Sequence, residues 1–228
     1  MSNEPQEGSD SVPPEGLGRK EIRRITERYQ TVNRERLNRV QSTLTRDQQR
    51  LFQLLPLLLH SNHPALPGYS GDDTPAGLAD FSADRDCLLQ ARSFSSTLKM
   101  PRQVPRRMPL LGLYLIGSSG TLGQDRHSDF DFWVCHHPDL SDQELAALNG
   151  KLDKLHQYAA GIGLQMHFFL LHAAGFRGRQ HSRLSKESSG DTQHHLLLEE
   201  FYRSGLLVAG LPPLWWLIPV SQTITYDQ

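Results

Sequence analysis

The chain has 228 residues, of which 37% are hydrophobic and 21% charged, and its formal net charge is −1. This composition is typical of a folded protein with its own apolar core. The nearly neutral charge gives no support for a general binder of nucleic acid or of membrane surfaces, so no nucleic-acid partner is expected. With only two cysteines, Cys87 and Cys135, the sequence indicates neither a disulfide framework nor a zinc site.

Residues 1–18 consist largely of Glu, Ser, Pro and Gly, and are predicted to be a disordered tail. They lack the basic and apolar regions of a secretory signal. No apolar run reaches the roughly 20 residues that a membrane-spanning helix needs. The best one, 206–220, is interrupted by Gly210, Pro212 and Pro213. We therefore expect a cytoplasmic protein without a membrane span.

Three helices are predicted in the first half of the chain. The first covers about 19–44, where apolar residues recur at steps of three and four. The second begins near Thr45, which can form a capping box with Gln48. The third covers about 84–96. Together they define a helical N-terminal lobe, 19–108, which ends in a basic stretch interrupted by proline.

From about residue 109 the chain changes to short apolar runs that alternate with helical patterns. Strands are predicted over 111–116, about 128–136 and 164–171. Helices are predicted from Ser141 to near Gly161 or Gly163 and from Thr192 to about Leu207. Ser141 and Glu144 form the capping box of the first of these helices. The second half, 109–228, is therefore expected to be a mixed α/β unit behind the helical lobe, which makes the whole chain α+β.

The segment from Gly117 to Asp131 contains the residues with the most informative chemistry. An apolar strand ends in Gly117-Ser118, where the backbone can approach a ligand closely and N–H and hydroxyl groups can bind phosphate oxygens. Asp129 and Asp131 are two residues apart, so both point to one face of a strand. Such carboxylates repel unless a cation such as Mg²⁺ or Mn²⁺ lies between them. The pattern predicts a metal and triphosphate site.

Each of these features alone is weak. Asp-x-Asp is mostly a solvated strand edge or turn, and a single Gly-Ser pair carries no information. The combination is more specific, because Asp129 and Asp131 alternate with the large apolar residues Phe130, Phe132 and Trp133. A carboxylate in such surroundings needs a partner. We therefore favour a metal and triphosphate site over a solvated strand edge.

This element resembles the signature of the DNA-polymerase-β-like nucleotidyltransferase superfamily. A wider set of segments resembles the N-terminal catalytic region of class I (enterobacterial-type) adenylate cyclases. These segments are Leu57-Leu58-Leu59-His60-Ser61-Asn62-His63-Pro64, Leu66-Pro67-Gly68-Tyr69, Leu115-Ile116-Gly117-Ser118, Ser128-Asp129-Phe130-Asp131-Phe132-Trp133-Val134-Cys135-His136, Phe168-Phe169-Leu170, Thr192-Gln193-His194 and Leu196-Leu197-Leu198-Glu199-Glu200-Phe201-Tyr202-Arg203. The similarity extends from about Arg19 to Pro219.

The resemblance implies a nucleotidyltransferase-like mixed sheet with flanking helices over 109–228. It also implies conversion of ATP to 3′,5′-cyclic AMP and pyrophosphate, with Mg²⁺ or Mn²⁺ as cofactor. The ribose 3′-hydroxyl would attack the α-phosphate in a two-metal-type reaction. Asp129 and Asp131 would be the catalytic metal ligands. The nucleotide and its phosphates would be bound by Gly117, Ser118, Ser119, Gly123 and Ser128.

Two features depart from the family pattern. The superfamily usually places a third carboxylate on the next strand, whereas the matching position holds Gln165, an amide that cannot act as a base. His167 lies two residues further on the same face and is a candidate replacement. Family members are also several times longer, so we expect a fragment, a truncated product or a stand-alone paralogue, with a regulatory region or partner protein outside this chain.

Several further residues are candidate accessory groups. His194 lies on the last predicted helix, and Glu199 and Glu200 are surface charges of that helix unless one faces the site. Arg183 and Lys186 lie in a polar loop, which is either solvated and mobile or a lid whose cations contact the triphosphate. Two alternative functions stay open. One is a degenerate domain that binds nucleotide with little or no turnover, and the other is nucleotidyl transfer to another acceptor.

Overall fold

The computed structural model describes residues 18–95, 107–117, 129–172 and 200–213, with the exception of Tyr202. The helices and strands of this part of the chain are α1 (Arg19–Ser42), α2 (Arg46–His60), α3 (Arg85–Arg92), β1 (Leu110–Ile116), β2 (Phe130–His136), α4 (Asp142–Gly161), β3 (Met166–His172) and β4 (Leu206–Gly210). Helices and a mixed sheet occur together, so the predicted α+β class is confirmed.

Both predicted capping boxes are present. The Thr45 N–H donates to Gln48 Oε1 at 3.0 Å before α2, and the Ser141 N–H donates to Glu144 Oε2 at 2.8 Å before α4. The Glu144 N–H in turn donates to Ser141 Oγ at 3.3 Å. These contacts satisfy N–H groups that have no partner in the first turn of a helix. They also fix the residue at which α4 begins after β2.

Helix α3 is shorter than predicted. It begins after Asp84, whose carboxylate accepts a 2.7 Å hydrogen bond from the Cys87 N–H, and it ends at Arg92 rather than near 96. At its end the Ser93 hydroxyl donates to the Gln90 carbonyl at 2.7 Å, and the Phe94 N–H donates to the Ala91 carbonyl. These tighter contacts replace the α-helical pattern and stop the helix.

The sheet has the strand order β3-β2-β1-β4. Strand β1 is antiparallel to both β2 and β4, whereas β2 and β3 are parallel. A parallel pair needs a long crossover connection, and α4 supplies it.

Strand β4 corrects the prediction of a helix over 192–207. Among the described residues of that range, helical backbone covers 200–204 and ends before Gly205, after which β4 begins at Leu206. The run Leu206-Leu207-Val208-Ala209 is uniformly apolar, so its sequence carries no period that separates helix from strand. Pairing with β1, in which Leu115 lies opposite Leu206, gives the strand its hydrogen-bond partners.

The two faces of the sheet are covered differently. On the helix-covered face, Leu113, Leu115, Phe130 and Phe132 belong to one buried cluster together with leucines of α2 and α4. The ring of Phe52 in α2 lies 6.3 Å from that of Phe130 and 6.0 Å from that of Phe132. Because side chains alternate along a strand, the intervening residues lie on the opposite face. There a smaller cluster is formed by Tyr114, Ile116, Trp133, Leu171 and Phe201.

Helix α1 packs against the free edge of β4. The side-chain amide of Asn33 donates to the Leu207 carbonyl at 2.7 Å, and its oxygen accepts from the Leu207 N–H at 2.9 Å. This pair of contacts satisfies backbone groups that an edge strand otherwise leaves without partners. No helix in the described parts of the chain is sufficiently long and apolar to cross a membrane.

Candidate functional site

The predicted site residues that the structure describes meet at one end of β1 and β2. Ile116, the last residue of β1, lies opposite Asp131 in the register of the two strands. Gly117 follows β1 directly, and Asp129 directly precedes β2. The antiparallel pairing therefore brings Gly117 and the two aspartates together, although eleven residues separate Gly117 from Asp129 in the sequence.

Alternation along β2 places the Asp131 side chain on the opposite face. Phe130 and Phe132 turn towards the helices, whereas Asp131 shares its side of the strand with Trp133, which is 2% exposed. Asp131 itself is half-buried, and the side chain of Asp129 is 57% exposed. The two carboxylates are thus open to a ligand at the end of a face whose middle is filled by aromatic rings.

The surroundings of Asp131 disfavour its charged form. Partial burial raises the pKa of the Asp131 carboxyl, and the nearby charge of Asp129 raises it further. His167 opposes this rise in pKa, since a positive imidazolium stabilises the carboxylate. The parallel register places Asp131 opposite His167, and the Nε2 atom of His167 lies 4.0 Å from Oδ2 of Asp129. Asp129, Asp131 and His167 therefore form a polar group at the start of β2 and β3.

Gln165 lies beside this group but outside a strand. Strand β3 begins at Met166, one residue later than the position at which a third carboxylate was expected. The backbone carbonyl of Gln165 accepts a 2.9 Å hydrogen bond from the Phe130 N–H, and its side chain is exposed. Its backbone holds the start of β2, and the amide cannot accept a proton as a carboxylate would.

His156 of α4 lies next to His167, a member of this polar group. Its ring centre lies 5.4 Å from that of His167, and its Nδ1 is 2.6 Å from the Met166 carbonyl. A pocket of about 240 Å³ is lined here by residues of α4 and β3, namely Asn149, Leu152, Asp153, His156, His167, Phe168 and Phe169. Sequence reasoning missed His156, although its position four residues after Leu152 on the apolar face of α4 is a usable signal.

Gly117 has a left-handed backbone, with φ of +84°. Its N–H donates to the hydroxyl of Ser204 at 3.2 Å. A Cβ atom at this position would lie 3.9 Å from Oε1 of Glu200, so the side chain of Glu200 reaches Gly117. Sequence reasoning missed Ser204, because nothing near it in the sequence indicates a contact with a turn 87 residues away.

The remaining predicted site residues are Ser118, Ser119, Gly123, Ser128, Arg183, Lys186 and His194, and they lie outside the described residues. Within the described ranges, no group of three or more His, Cys, Asp and Glu side chains is arranged to hold a metal ion. Asp129 and Asp131 are the two predicted carboxylate ligands that the structure describes there. This number suits Mg²⁺, which usually takes one or two protein carboxylates and completes its shell with water and substrate phosphate.

Fold and site together define an α+β domain with a paired-carboxylate site at the end of a mixed sheet. The chain matches the family described as adenylate cyclase NT domain over residues 21–216, so it belongs to that family. The adenylate cyclases of Salmonella typhimurium, Proteus mirabilis and Escherichia coli are each 34% identical to it, over 212, 210 and 212 residues. These alignments cover 90%, 91% and 90% of the chain.

The predicted resemblance is thus confirmed at the level of the family. The chain spans only 24% of the length of each of these relatives. No solved structure is significantly similar to it.

Proposed function

We propose that this chain is the catalytic region of an adenylate cyclase, which converts ATP to cyclic AMP and pyrophosphate. The observation that carries the proposal is the meeting of Asp129, Asp131 and Gly117 at one end of β1 and β2 in a chain of this family. We extend the proposal to a nucleotidyltransferase-like catalytic domain over 109–228, with the helical lobe of 19–108 in front of it. The mixed sheet and its α4 crossover support this extension.

Asp129 and Asp131 fit a Mg²⁺ or Mn²⁺ ion. Both offer oxygen ligands, and the raised pKa of Asp131 indicates that its negative charge is poorly compensated by the protein. A bound divalent cation would supply positive charge to the carboxylates and to the phosphate oxygens of the nucleotide. The further step to a two-metal-type reaction is supported by the superfamily resemblance.

In the proposed reaction, a bond forms between the ribose O3′ and the α-phosphorus. The bond from that phosphorus to the oxygen bridging to the β-phosphate breaks, and pyrophosphate leaves with the electron pair. Gly117 would lie against the β- and γ-phosphates, where the absence of a side chain lets the backbone approach. The chain would accelerate the step mainly by orienting the nucleotide and by stabilising charge.

The 3′-hydroxyl must also lose its proton. We propose His167 as the acceptor, because its Nε2 atom lies 4.0 Å from Asp129 and its ring is partly exposed beside the two aspartates. Gln165 cannot take this role, since an amide is not a base at neutral pH.

The test uses the purified chain with ATP labelled at the α-phosphate and Mn²⁺. We expect labelled cyclic AMP, and a loss of rate of about 100-fold or more in Asp129→Asn and Asp131→Asn. Asp86→Asn, which changes an exposed carboxylate on α3, is the matched control and is expected to keep the wild-type rate. Equal turnover by Asp129→Asn and the wild type would contradict the site, and label on another acceptor would show nucleotidyl transfer instead.

A second candidate function is nucleotide binding with little or no turnover. The observation that favours it is Gln165, which carries an amide where a carboxylate was expected and whose backbone carbonyl accepts a hydrogen bond from the Phe130 N–H. On this hypothesis the wild type binds ATP with Mn²⁺ but makes no cyclic AMP, and Gln165→Glu restores turnover. An active wild type whose activity is lost in His167→Gln would favour the first proposal.

A further inference from the structure

The Gly117 turn is held by a side chain rather than by a neighbouring strand. In the antiparallel β1–β4 register Leu115 lies opposite Leu206. Counting two residues forward from Leu115 and two residues back from Leu206 places Gly117 opposite Ser204. The backbone at Ser204 is helical, so the strand pairing has already ended there. The Ser204 hydroxyl oxygen takes the place of a strand carbonyl and accepts the Gly117 N–H at 3.2 Å.

The Ser204 hydroxyl has a fixed orientation. Its single proton is donated to the Glu200 carbonyl at 2.7 Å, one helical turn earlier. The oxygen lone pairs are therefore left to accept hydrogen bonds, and Gly117 supplies the donor. A residue at this position without a hydroxyl would leave the Gly117 N–H without this acceptor.

Helix α1 determines where Ser204 lies. The Arg36 guanidinium donates to the Ser204 carbonyl at 2.8 Å, and Asn33 forms two hydrogen bonds with the backbone of Leu207. These contacts join residues that are 168 and 174 positions apart in the sequence. They fix both ends of the short connection between the helical residues 200–204 and β4 onto α1.

Glycine populates positive φ values about as readily as negative ones, so the glycine itself does not select one backbone conformation. The hydrogen bond that the Gly117 N–H donates to the Ser204 hydroxyl favours the observed φ of +84° at Gly117. The conformation of Gly117 therefore depends on Ser204 and, through Arg36, on α1.

We propose that Ser204 is a positioning residue for the polyphosphate of the substrate, and that α1 sets its place through Arg36 and Asn33. This inference rests on the proposed function, because Gly117 is the residue that would contact the β- and γ-phosphates. Ser204 acts through Gly117, and its loss should weaken the binding of a triphosphate more than that of a monophosphate.

The experiment compares Ser204→Ala, Ser204→Thr and the wild type. Calorimetry with Mn²⁺ gives the dissociation constants of AMP and of ATP, the latter with α,β-methylene-ATP, which cannot lose pyrophosphate. Hydrogen exchange gives the protection of the Gly117 amide without nucleotide. We expect Ser204→Ala to expose this amide to exchange, to raise the Kd of ATP about fivefold and to leave that of AMP unchanged. Ser204→Thr keeps a hydroxyl and should show the wild-type exchange at Gly117 and the wild-type Kd of ATP.

Ser42→Ala and Arg39→Ala are controls that separate the positioning role of Ser204 from a general loss of stability. Ser42→Ala removes a hydroxyl of α1 that also donates to a helical carbonyl, at 2.7 Å, and should change neither measurement. Arg36→Ala should raise exchange at Gly117, whereas Arg39→Ala, exposed on the same helix, should not.

The outcomes distinguish this inference from the proposed function. Suppose that the wild type binds ATP and Asp129→Asn does not. Ser204→Ala with wild-type ATP affinity, or with unchanged exchange at Gly117, then overturns the positioning role. Equal weakening of ATP and AMP also overturns it, since that pattern indicates a structural defect. Absence of ATP binding by the wild type overturns the proposed function and this role with it.

Discussion

The two faces of the sheet are built from alternate residues of the same strands, yet they are filled very differently. On the helix-covered face Leu113, Leu115 and Phe132 are fully buried among the leucines of α2 and α4. On the opposite face aromatic rings fill the middle, while Asp131 and His167 stay partly exposed at the strand ends. A single strand, β2, therefore serves both the core and the candidate site.

This difference separates the buried core, which stabilises the fold, from the candidate site. Burial of apolar surface on the helix-covered face contributes favourably to folding. A partly buried carboxylate beside another one is unfavourable unless a partner compensates its charge. Such a loss of stability is expected at a ligand-binding site, because residues there are selected for binding rather than for stability.

The largest expected effect is the contrast between two adjacent residues of β2. Phe132→Ala should lower the free energy of unfolding by about 3–5 kcal/mol, because it empties a fully buried site that contacts Phe52 and Phe168. Asp131→Asn should change it by less than about 0.5 kcal/mol at neutral pH. Urea unfolding of both variants measures the difference. A loss of stability in Asp131→Asn as large as in Phe132→Ala would contradict the division between the faces.

Lys151 is an exception on the helix-covered side, where it is 1% exposed. Its Nζ donates to the Ser61 carbonyl at 2.7 Å, and burial lowers the pKa of its ammonium group to about 8 from 10.5. The unfolded chain therefore binds more protons between pH 8 and 10.5, and stability rises with pH across this window. Below it, the buried charge costs about 3 kcal/mol.

Lys151→Met removes this cost but also the hydrogen bond to Ser61, which is worth about 1 kcal/mol. We expect a gain of about 2 kcal/mol at pH 7 that disappears towards pH 10, measured by urea unfolding at a series of pH values. Lys154→Met is the matched control, since Lys154 is exposed on the same helix and also donates to a backbone carbonyl, that of Tyr69. A variant of Lys151 that is less stable than the wild type at pH 7 would contradict the expectation.

Local patterns in the sequence predicted those parts of the molecule that depend on local contacts. The capping boxes at Thr45 and Ser141 join residues three positions apart, and both were predicted correctly. The alternation of Asp129 and Asp131 with phenylalanines predicted strand β2 and the common side of the two carboxylates, because the period of a strand is two residues.

The errors involve contacts between distant residues. The first two residues of strand β4 were predicted as the end of a helix. A uniformly apolar run takes its structure from its partner, and that partner, β1, lies about 90 residues earlier. Ser204 and Asn33 gave no signal, since each acts on backbone groups that only the fold brings close. The family resemblance indicated the candidate site residues, whereas the register between strands shows how β1, β2 and β3 meet at the candidate site.

The smallest expected effect tests the unfavourable charge of Asp131 directly. Burial and the charge of Asp129 raise the pKa of this carboxyl above 3.8, against the opposing influence of His167. The folded state therefore binds more protons than the unfolded chain in the pH range just above 3.8, and this contribution to stability falls as the pH rises through that range. Because the side chain is only half-buried, solvent keeps the effect small.

Urea unfolding of the wild type and Asp131→Asn between pH 4 and 7 measures this contribution, which we expect to be absent from the variant. Millimolar Mn²⁺ should reverse it, since a bound cation stabilises the ionised carboxylate, and should raise the stability of the wild type more than that of Asp131→Asn. Asp86→Asn should follow the wild type in both conditions. Parallel pH dependence of wild type and Asp131→Asn would mean that Asp131 carries no such penalty, and equal stabilisation by Mn²⁺ would place the cation elsewhere in the chain.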